Sequence, residues 1–96
     1  MKHTFNNNII TLFLVGELNT STSPVMEKEI DEILKNKNVE SLVLDLKDLI
    51  YISSAGLRIV VKLKQKYDNI SIIHCNEDVY DIFQMTGFAA MMNISK

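Results

Sequence analysis

Asp45-Leu46-Lys47-Asp48-Leu49-Ile50-Tyr51-Ile52-Ser53-Ser54-Ala55-Gly56-Leu57-Arg58 is the stretch on which the reading of this chain turns. The apolar run that leads into it, Glu40 to Leu46 with Leu42, Val43 and Leu44, has the length of a buried strand. Lys47 to Ile52 reads as a short loop. Two serines, an alanine and a glycine then open a helix near Ser53 or Ser54. Gly56, Ile59, Val60, Leu63 and Tyr67 recur at spacings of three and four, while Arg58, Lys62 and Gln65 fall on another face.

Working outward, the same alternation of strand and helix continues in both directions. On the N-terminal side, Asn6-Asn7-Asn8 reads as a turn, because asparagine tolerates left-handed backbone conformations. Thr4-Phe5 and Ile9 to Val15 then form a hairpin. The second strand carries apolar groups at both parities, the pattern of a central strand covered on both faces. Gly16 is expected to end it. Ser23 reads as the N-cap of a helix with Pro24 at its first position. Met26, Ile30, Ile33 and Leu34 form its inner face. Glu27, Glu29, Asp31 and Glu32 put negative charge towards the favourable end of its dipole, with Lys35 and Lys37 at the other end. Asn36 and Asn38 close it.

On the C-terminal side, Asp68-Asn69 turns into a strand from Ile70 to His74. Asn76 caps a third helix with Val79, Ile82 and Phe83 inward, and Gly87 suits its C-terminal cap. Met91 to Ile94 reads as a short edge strand. The order β-β-α-β-α-β-α-β predicts an α/β fold. Its sheet is mixed but mostly parallel, opens with a hairpin, and has three main helices chiefly on one side.

The chain has 96 residues, 47% hydrophobic and 23% charged, which is ordinary for one globular domain. A net charge of -2 carries no electrostatic footprint for nucleic acid. Cys75 is the only cysteine, which excludes an internal disulfide and a thiolate metal cluster. It reads as a small core or surface residue. MKHTFNNN lacks the apolar core of a signal peptide, and no apolar run reaches the roughly 20 residues of a membrane span. The expectation is a reduced, cytoplasmic protein without membrane insertion.

A helix start offers free N–H groups and the positive end of a dipole, so a phosphate on Ser53 or Ser54 would meet a favourable field. Arg58 lies four residues after Ser54 on the same helix face, and helical side chains lean towards the N-terminus. Ala55 and Gly56 leave the serines uncovered. The plainer reading makes Ser53 an N-cap and nothing more. Nucleophilic catalysis lacks support: there is no Gly-x-Ser-x-Gly elbow, and the only histidines are His3 and His74. No metal-ligand spacing and no glycine-rich phosphate loop is present, so no cofactor, catalytic residue or metal site is assigned, and no hydrolase or NTPase activity is expected. Lys62, Lys64 and Lys66 read as a solvated face, with Arg58 and Lys62 alternatively bordering a docking surface. Met85, Met91 and Met92 suit core packing or an adaptable interface.

Over nearly its whole length, 1–96 as a single domain, the chain resembles the STAS domain of bacterial anti-sigma factor antagonists. Gly16-Glu17-Leu18-Asn19 with Thr22 is similar to the family's Gly-x-Leu-Asp motif and later threonine. Leu42 to Leu46 resembles its third strand, and Ile52-Ser53-Ser54-Ala55-Gly56-Leu57 its Asp-Ser-Ser/Thr-Gly-Leu signature. Val79, Ile82, Phe83 and Thr86-Gly87-Phe88 resemble its last helix and Thr-Gly-Leu ending. The resemblance implies a non-enzymatic, partner-switching phosphoprotein with Ser54 as the phosphorylated serine. It implies a partner-binding surface from Asn19, Thr22, Ser53, Ala55, Gly56, Arg58 and Lys62. The implied partners are an anti-sigma factor with serine kinase activity, released when Ser54 is phosphorylated, and a PP2C-type phosphatase that resets the switch. Three positions depart from the pattern: Ser53 stands where many antagonists have Asp, Ala55 where a second Ser or Thr is usual, and Asn19 in place of Asp. Other STAS proteins are non-phosphorylated subunits of lipid-transport ATPase complexes, or switches with non-transcriptional outputs, and both readings stay open at this point.

Overall fold

In a computed structural model that describes residues 1–96, five strands and three helices alternate as the spacing predicts. The strands are β1 (Lys2–Asn6), β2 (Ile9–Leu18), β3 (Ser41–Ile52), β4 (Ile70–Ile73) and β5 (Asn93–Ile94). The helices are α1 (Ser23–Leu34), α2 (Ser54–Lys66) and α3 (Glu77–Met85). The sheet order is β1-β2-β3-β4-β5, with β1 antiparallel to β2 and every other neighbour parallel. Asn7 and Asn8 make the hairpin turn with φ of 54° and 63°, the left-handed pair that a two-residue turn requires.

The core is a single cluster. Ile10, Leu12 and Leu14 of β2 and Leu42, Leu44 and Leu46 of β3 pack against Ile30, Ile59, Val60, Leu63, Val79 and Phe83 of the helices. The expectation that β2 is covered on both faces fails. Ile9 and Val15 are exposed, Val15 by 59%. The helices cover one face of the sheet, and the apolar residues of the other parity lie on its open face.

The largest departure concerns Lys47 to Ile52, which the sequence presents as a loop and the structure continues as strand. Three steps from Asp45 to Asp48 oppose two from Phe13 to Val15, and two steps from Leu49 to Tyr51 oppose one from Gly16 to Glu17. The extra residues on β3 are bulges, which leave the inward residues Leu46, Leu49 and Ile52 three apart. Period-two alternation is lost, so the segment does not look like a strand. For the same reason Gly16 does not end β2. Its φ of +84° lets the strand bend beside the second bulge and run on to Leu18.

Other boundaries shift by local chemistry. Ser23 is not the N-cap of α1 but its first residue, because the Thr22 hydroxyl donates to Glu17 O at 2.6 Å and holds Thr22 at the boundary. The acidic residues of α1 lie beyond its first turn. Asn76 caps α3, accepting from Val79 N at 2.8 Å, and its Nδ2 donates to Leu49 O at 3.0 Å, which ties the helix to β3. Gly87 follows that helix with φ +81°. The expected Met91 strand shortens to Asn93–Ile94, because Phe88–Ala90 form a 3₁₀ turn. His74 falls outside β4 with φ +61°.

Cys75 belongs to the core, and burial pushes its thiol from the usual 9.0 up to about 11. Two results are expected. Iodoacetamide leaves the native thiol unmodified at pH 8 and alkylates it once the chain is unfolded in urea. Between pH 9 and about 11 the unfolded chain loses the thiol proton while the folded chain keeps it, so the urea midpoint falls as pH rises through that window. A midpoint flat across the window, in a Cys75→Ala-controlled titration, contradicts the assignment.

Candidate functional site

The C-terminal ends of β2 and β3 lie side by side, and each delivers the chain into a helix. Leu18 pairs with Ile52, and Ser53 N donates to Leu18 O at 2.8 Å. The two strand-to-helix junctions, Asn19–Ser23 and Ser53–Gly56, are therefore neighbours. Their proximity follows from the bulged length of β3: a strand ending at Leu46 would leave Ser53 at the end of a loop.

The first junction is held by its own side chains. Asn19 Oδ1 accepts from Ser21 N at 2.9 Å and Thr22 N at 3.0 Å, and Thr22 Oγ1 accepts from Asn19 N at 2.9 Å. An amide meets this need as well as a carboxylate would, so the Asn19 departure leaves the loop shaped. The Asn19 side-chain oxygen and the Thr22 hydroxyl are thus both engaged at the junction.

At the second junction Ser53 is the N-cap of α2, its hydroxyl accepting from Gly56 N at 3.4 Å. Ser54 is the first helical residue and is exposed, with no hydrogen bond from its side chain to the rest of the chain. The N–H groups of Ser54 and Ala55 have no intrahelical partner, as at any helix start, and no acidic residue offsets the dipole in that first turn. Gly56 is buried. A Cβ built on it would lie 2.7 Å from Ile52 Cγ1 and 2.8 Å from Leu18 Cγ. The glycine thus lets α2 sit directly on the ends of β2 and β3. Arg58 is exposed and makes no ion pair; its guanidinium is not hydrogen-bonded to Ser54. Lys62 is not free: it pairs with Glu27 of α1 at 3.0 Å.

Three exposed apolar residues escaped the sequence reading. Ile50, Tyr51 and Val25 flank the junctions, and Ile50 and Val25 are more than 60% exposed. Apolar letters in a strand or a first helical turn read as core. Only the bulge that puts Ile50 out of register, and the position of α1, expose them.

The histidines serve elsewhere. His74 Nδ1 lies 3.1 Å from both carboxylate oxygens of the buried Asp45. Asp45 lies nine residues before Ser54, before the bulged segment of β3. His3 is on the exposed strand β1. No helix is long and apolar enough to cross a membrane.

A family model for the STAS domain matches residues 1–96. The chain belongs to the STAS family. The Anti-sigma F factor antagonist of Paenibacillus polymyxa is 28% identical over 98 aligned residues, which span 98% of this chain and 82% of that protein. Among solved structures, the Thermotoga maritima protein tm1081 superposes with a TM-score of 0.90 at 19% identity, covering 99% of this chain and 85% of that one. The Bacillus anti-sigma factor antagonist SpoIIAA in its unphosphorylated form gives 0.80 at 15% identity, covering 99% of this chain and 87% of that one. At these identities the superpositions establish the STAS fold. They place the mixed sheet and three helices of this chain in it.

Proposed function

We propose that this STAS protein is an anti-sigma factor antagonist that works by partner switching in the bacterial cytoplasm. The unmodified chain binds an anti-sigma factor that is also a serine kinase. That partner phosphorylates Ser54, the complex separates, and a PP2C-type phosphatase restores the binding form. The observation that carries the reading is the state of Ser54: exposed, unpartnered, on the first turn of α2, with only Ala55 and the buried Gly56 after it. The family relation to proteins named anti-sigma factor antagonists supplies the partner class.

The contact surface comprises Asn19, Thr22, Ser53, Ala55, Arg58 and Lys62, with Ile50, Tyr51 and Val25 adding apolar area, whereas the buried Gly56 is no part of it and serves to seat α2 on the sheet. Asn19, Thr22 and Gly56 act by shaping the two junctions, and Lys62 by bracing α2 against α1 through Glu27. A small hydroxyl at the centre is desolvated at low cost when a partner hydrogen-bonds it. A phosphate adds about -1.5 to -2 charge at neutral pH and resists burial in such a contact. The fold is kept in both states, because Ser54 packs against nothing in the core. The chain itself supplies no base to Ser54 and no phosphate loop, so ATP and the chemistry of transfer belong to the partner.

Incubation with the cognate anti-sigma factor and ATP, followed by peptide mass spectrometry, tests the reading. Phosphate on Ser54 and loss of the complex on a sizing column are expected. Phosphate on Ser53 alone, or a complex indifferent to ATP, overturns it.

A further inference from the structure

The two edges of the sheet are built differently. β5, on one side, is two residues long, and a strand that short is one of the devices that blunt an edge. β1, on the other side, is five residues long, and every one of them is exposed. Its pairing with β2 runs from Lys2↔Phe13 to Asn6↔Ile9 without a bulge, and it contains no proline. Lys2 stands at the end of the strand, with its ammonium over the Phe13 ring at 5.4 Å, so the middle of the edge carries no lysine or carboxylate. β1 lacks the usual defences against a further strand.

The hairpin fixes what this edge offers. Asn7 and Asn8 form a two-residue turn, so Asn6 and Ile9 close it as a hydrogen-bonded pair. Alternation makes Thr4↔Thr11 and Lys2↔Phe13 the next such pairs. His3 and Phe5 therefore turn their N–H and C=O groups outward, and no turn or loop bonds them. The Phe5 side chain is an independent feature. Register sets it beside Ile10, and His3 beside Leu12, on the face that carries the helices. Ile10 and Leu12 are fully buried, yet Phe5 is 45% exposed. The apolar layer runs on to the edge and stops there uncovered.

We propose that β1 is an interface with a second copy of this chain. Two β1 strands pair antiparallel about a two-fold axis at Thr4 and join two five-stranded sheets into one. In that register His3 of each copy faces Phe5 of the other, and every outward N–H of these residues meets an outward carbonyl. Lys2 faces Asn6 and Thr4 faces Thr4, so no like charges oppose. The two Phe5 rings become diagonal neighbours on one face, within reach of each other. A shift that sets His3 on His3 leaves Phe5 facing Met1, outside the strand, and one that sets Phe5 on Phe5 leaves His3 facing the Asn7 turn. Only the Thr4-centred register uses the whole edge, and it is self-complementary, which selects a second copy over a foreign strand. The β2 and β3 strands of the two copies then run in opposite directions. Their Ser54 surfaces lie at opposite ends of the joined sheet, and each stays free to take its own partner. The contact does not depend on phosphorylation of Ser54.

The test is sedimentation velocity of the full chain from low micromolar to millimolar concentration, with amide-resolved hydrogen exchange over the same range. A reversible dimer is expected, with a dissociation constant on the order of 100 μM, because an edge contact buries less than a standard interface. Exchange at the His3 and Phe5 amides should slow about twofold when half the chain is dimeric. His3→Pro removes an outward N–H that β2 does not use, so β1 tolerates it. It should weaken the dimer at least tenfold and leave the melting temperature close to that of the parent. Phe5→Lys keeps the backbone and brings two cations to diagonal positions, and should weaken the dimer by a similar factor. A parent that stays monomeric at millimolar concentration, or a folded His3→Pro or Phe5→Lys protein that dimerises as the parent does, overturns the proposal. So does a dimer that slows exchange at β5 or around Ser54 and not at His3 and Phe5. Slowing at His3 and Phe5 that appears only when the anti-sigma factor is added gives the edge to that partner and overturns it as well.

Discussion

Gly56→Val is expected to lower the melting temperature by roughly 15 °C or more, on a loss of about 3 kcal/mol or more. The cause is contact rather than backbone strain. A Cβ at this position meets Ile52 Cγ1 at 2.7 Å and Leu18 at 2.8 and 2.9 Å, distances that real Cβ atoms do not occupy. Leu18 and Ile52 are both fully packed at the ends of paired strands, so neither can swing aside. To admit the side chain, α2 must lift from the sheet, which unseats Ile59, Val60 and Leu63 from the core. The intermediate variant Gly56→Ala should fall between. It gains up to about 1 kcal/mol of helix propensity but still inserts the clashing atom, for a net loss of about 1–2 kcal/mol. Thermal unfolding followed by circular dichroism reads both. A Gly56→Val protein that melts with the parent would show that α2 can retreat without cost.

Ser54→Ala is expected to have the largest effect on function: a complex with the anti-sigma kinase that persists in ATP, where the parent complex is lost. Alanine is smaller than serine and removes only a hydroxyl that bonds nothing in the free protein, so the fold and melting temperature should be unchanged. Ser54→Asp should bind at least tenfold more weakly than the parent. One carboxylate carries less charge than a phosphate and reproduces its repulsion in part. Ser53→Ala serves as the control. It deletes the N-cap bond to Gly56 N, which is long at 3.4 Å, and should cost about 0.5–1 kcal/mol of stability while Ser54 still accepts phosphate. Sizing chromatography of each variant with partner, with and without ATP, separates these outcomes. Equal binding by Ser54→Asp and the parent would end the case for an electrostatic switch, and would turn attention to the STAS proteins that serve without phosphorylation.

The order of elements was legible because it rests on local chemistry. The asparagines at 7 and 8 turn the chain wherever they stand, Asn76 caps a helix by its own side chain, and the stripe from Gly56 to Leu63 needs only the period of a helix. The α/β alternation and parallel sheet follow from that order through the handedness of crossovers. Ser53 and Ser54 could likewise be set at a helix start from sequence. The residue types around them leave both serines open, and the resemblance to STAS proteins alone points to Ser54.

What the sequence could not carry is everything that depends on a partner strand. The bulges that extend β3 to Ile52 exist only as a mismatch in step between β3 and β2, and a mismatch has no signature in either strand alone. With them come the exposure of Ile50, the pairing of Leu18 with Ile52, and the meeting of the two junctions. The sequence likewise presents Ile9 and Val15 as core, since hydrophobicity says which residues favour burial but not how many helices arrive to cover them. Sequence by itself determined the order of strands and helices and set the two serines at the head of α2. Only the tertiary structure decided that α1 and α2 begin side by side, that Ser23 is trapped without a partner, and that Gly56 has no room for a side chain. Those are distances between segments far apart in the chain, set by register and packing rather than by local propensity.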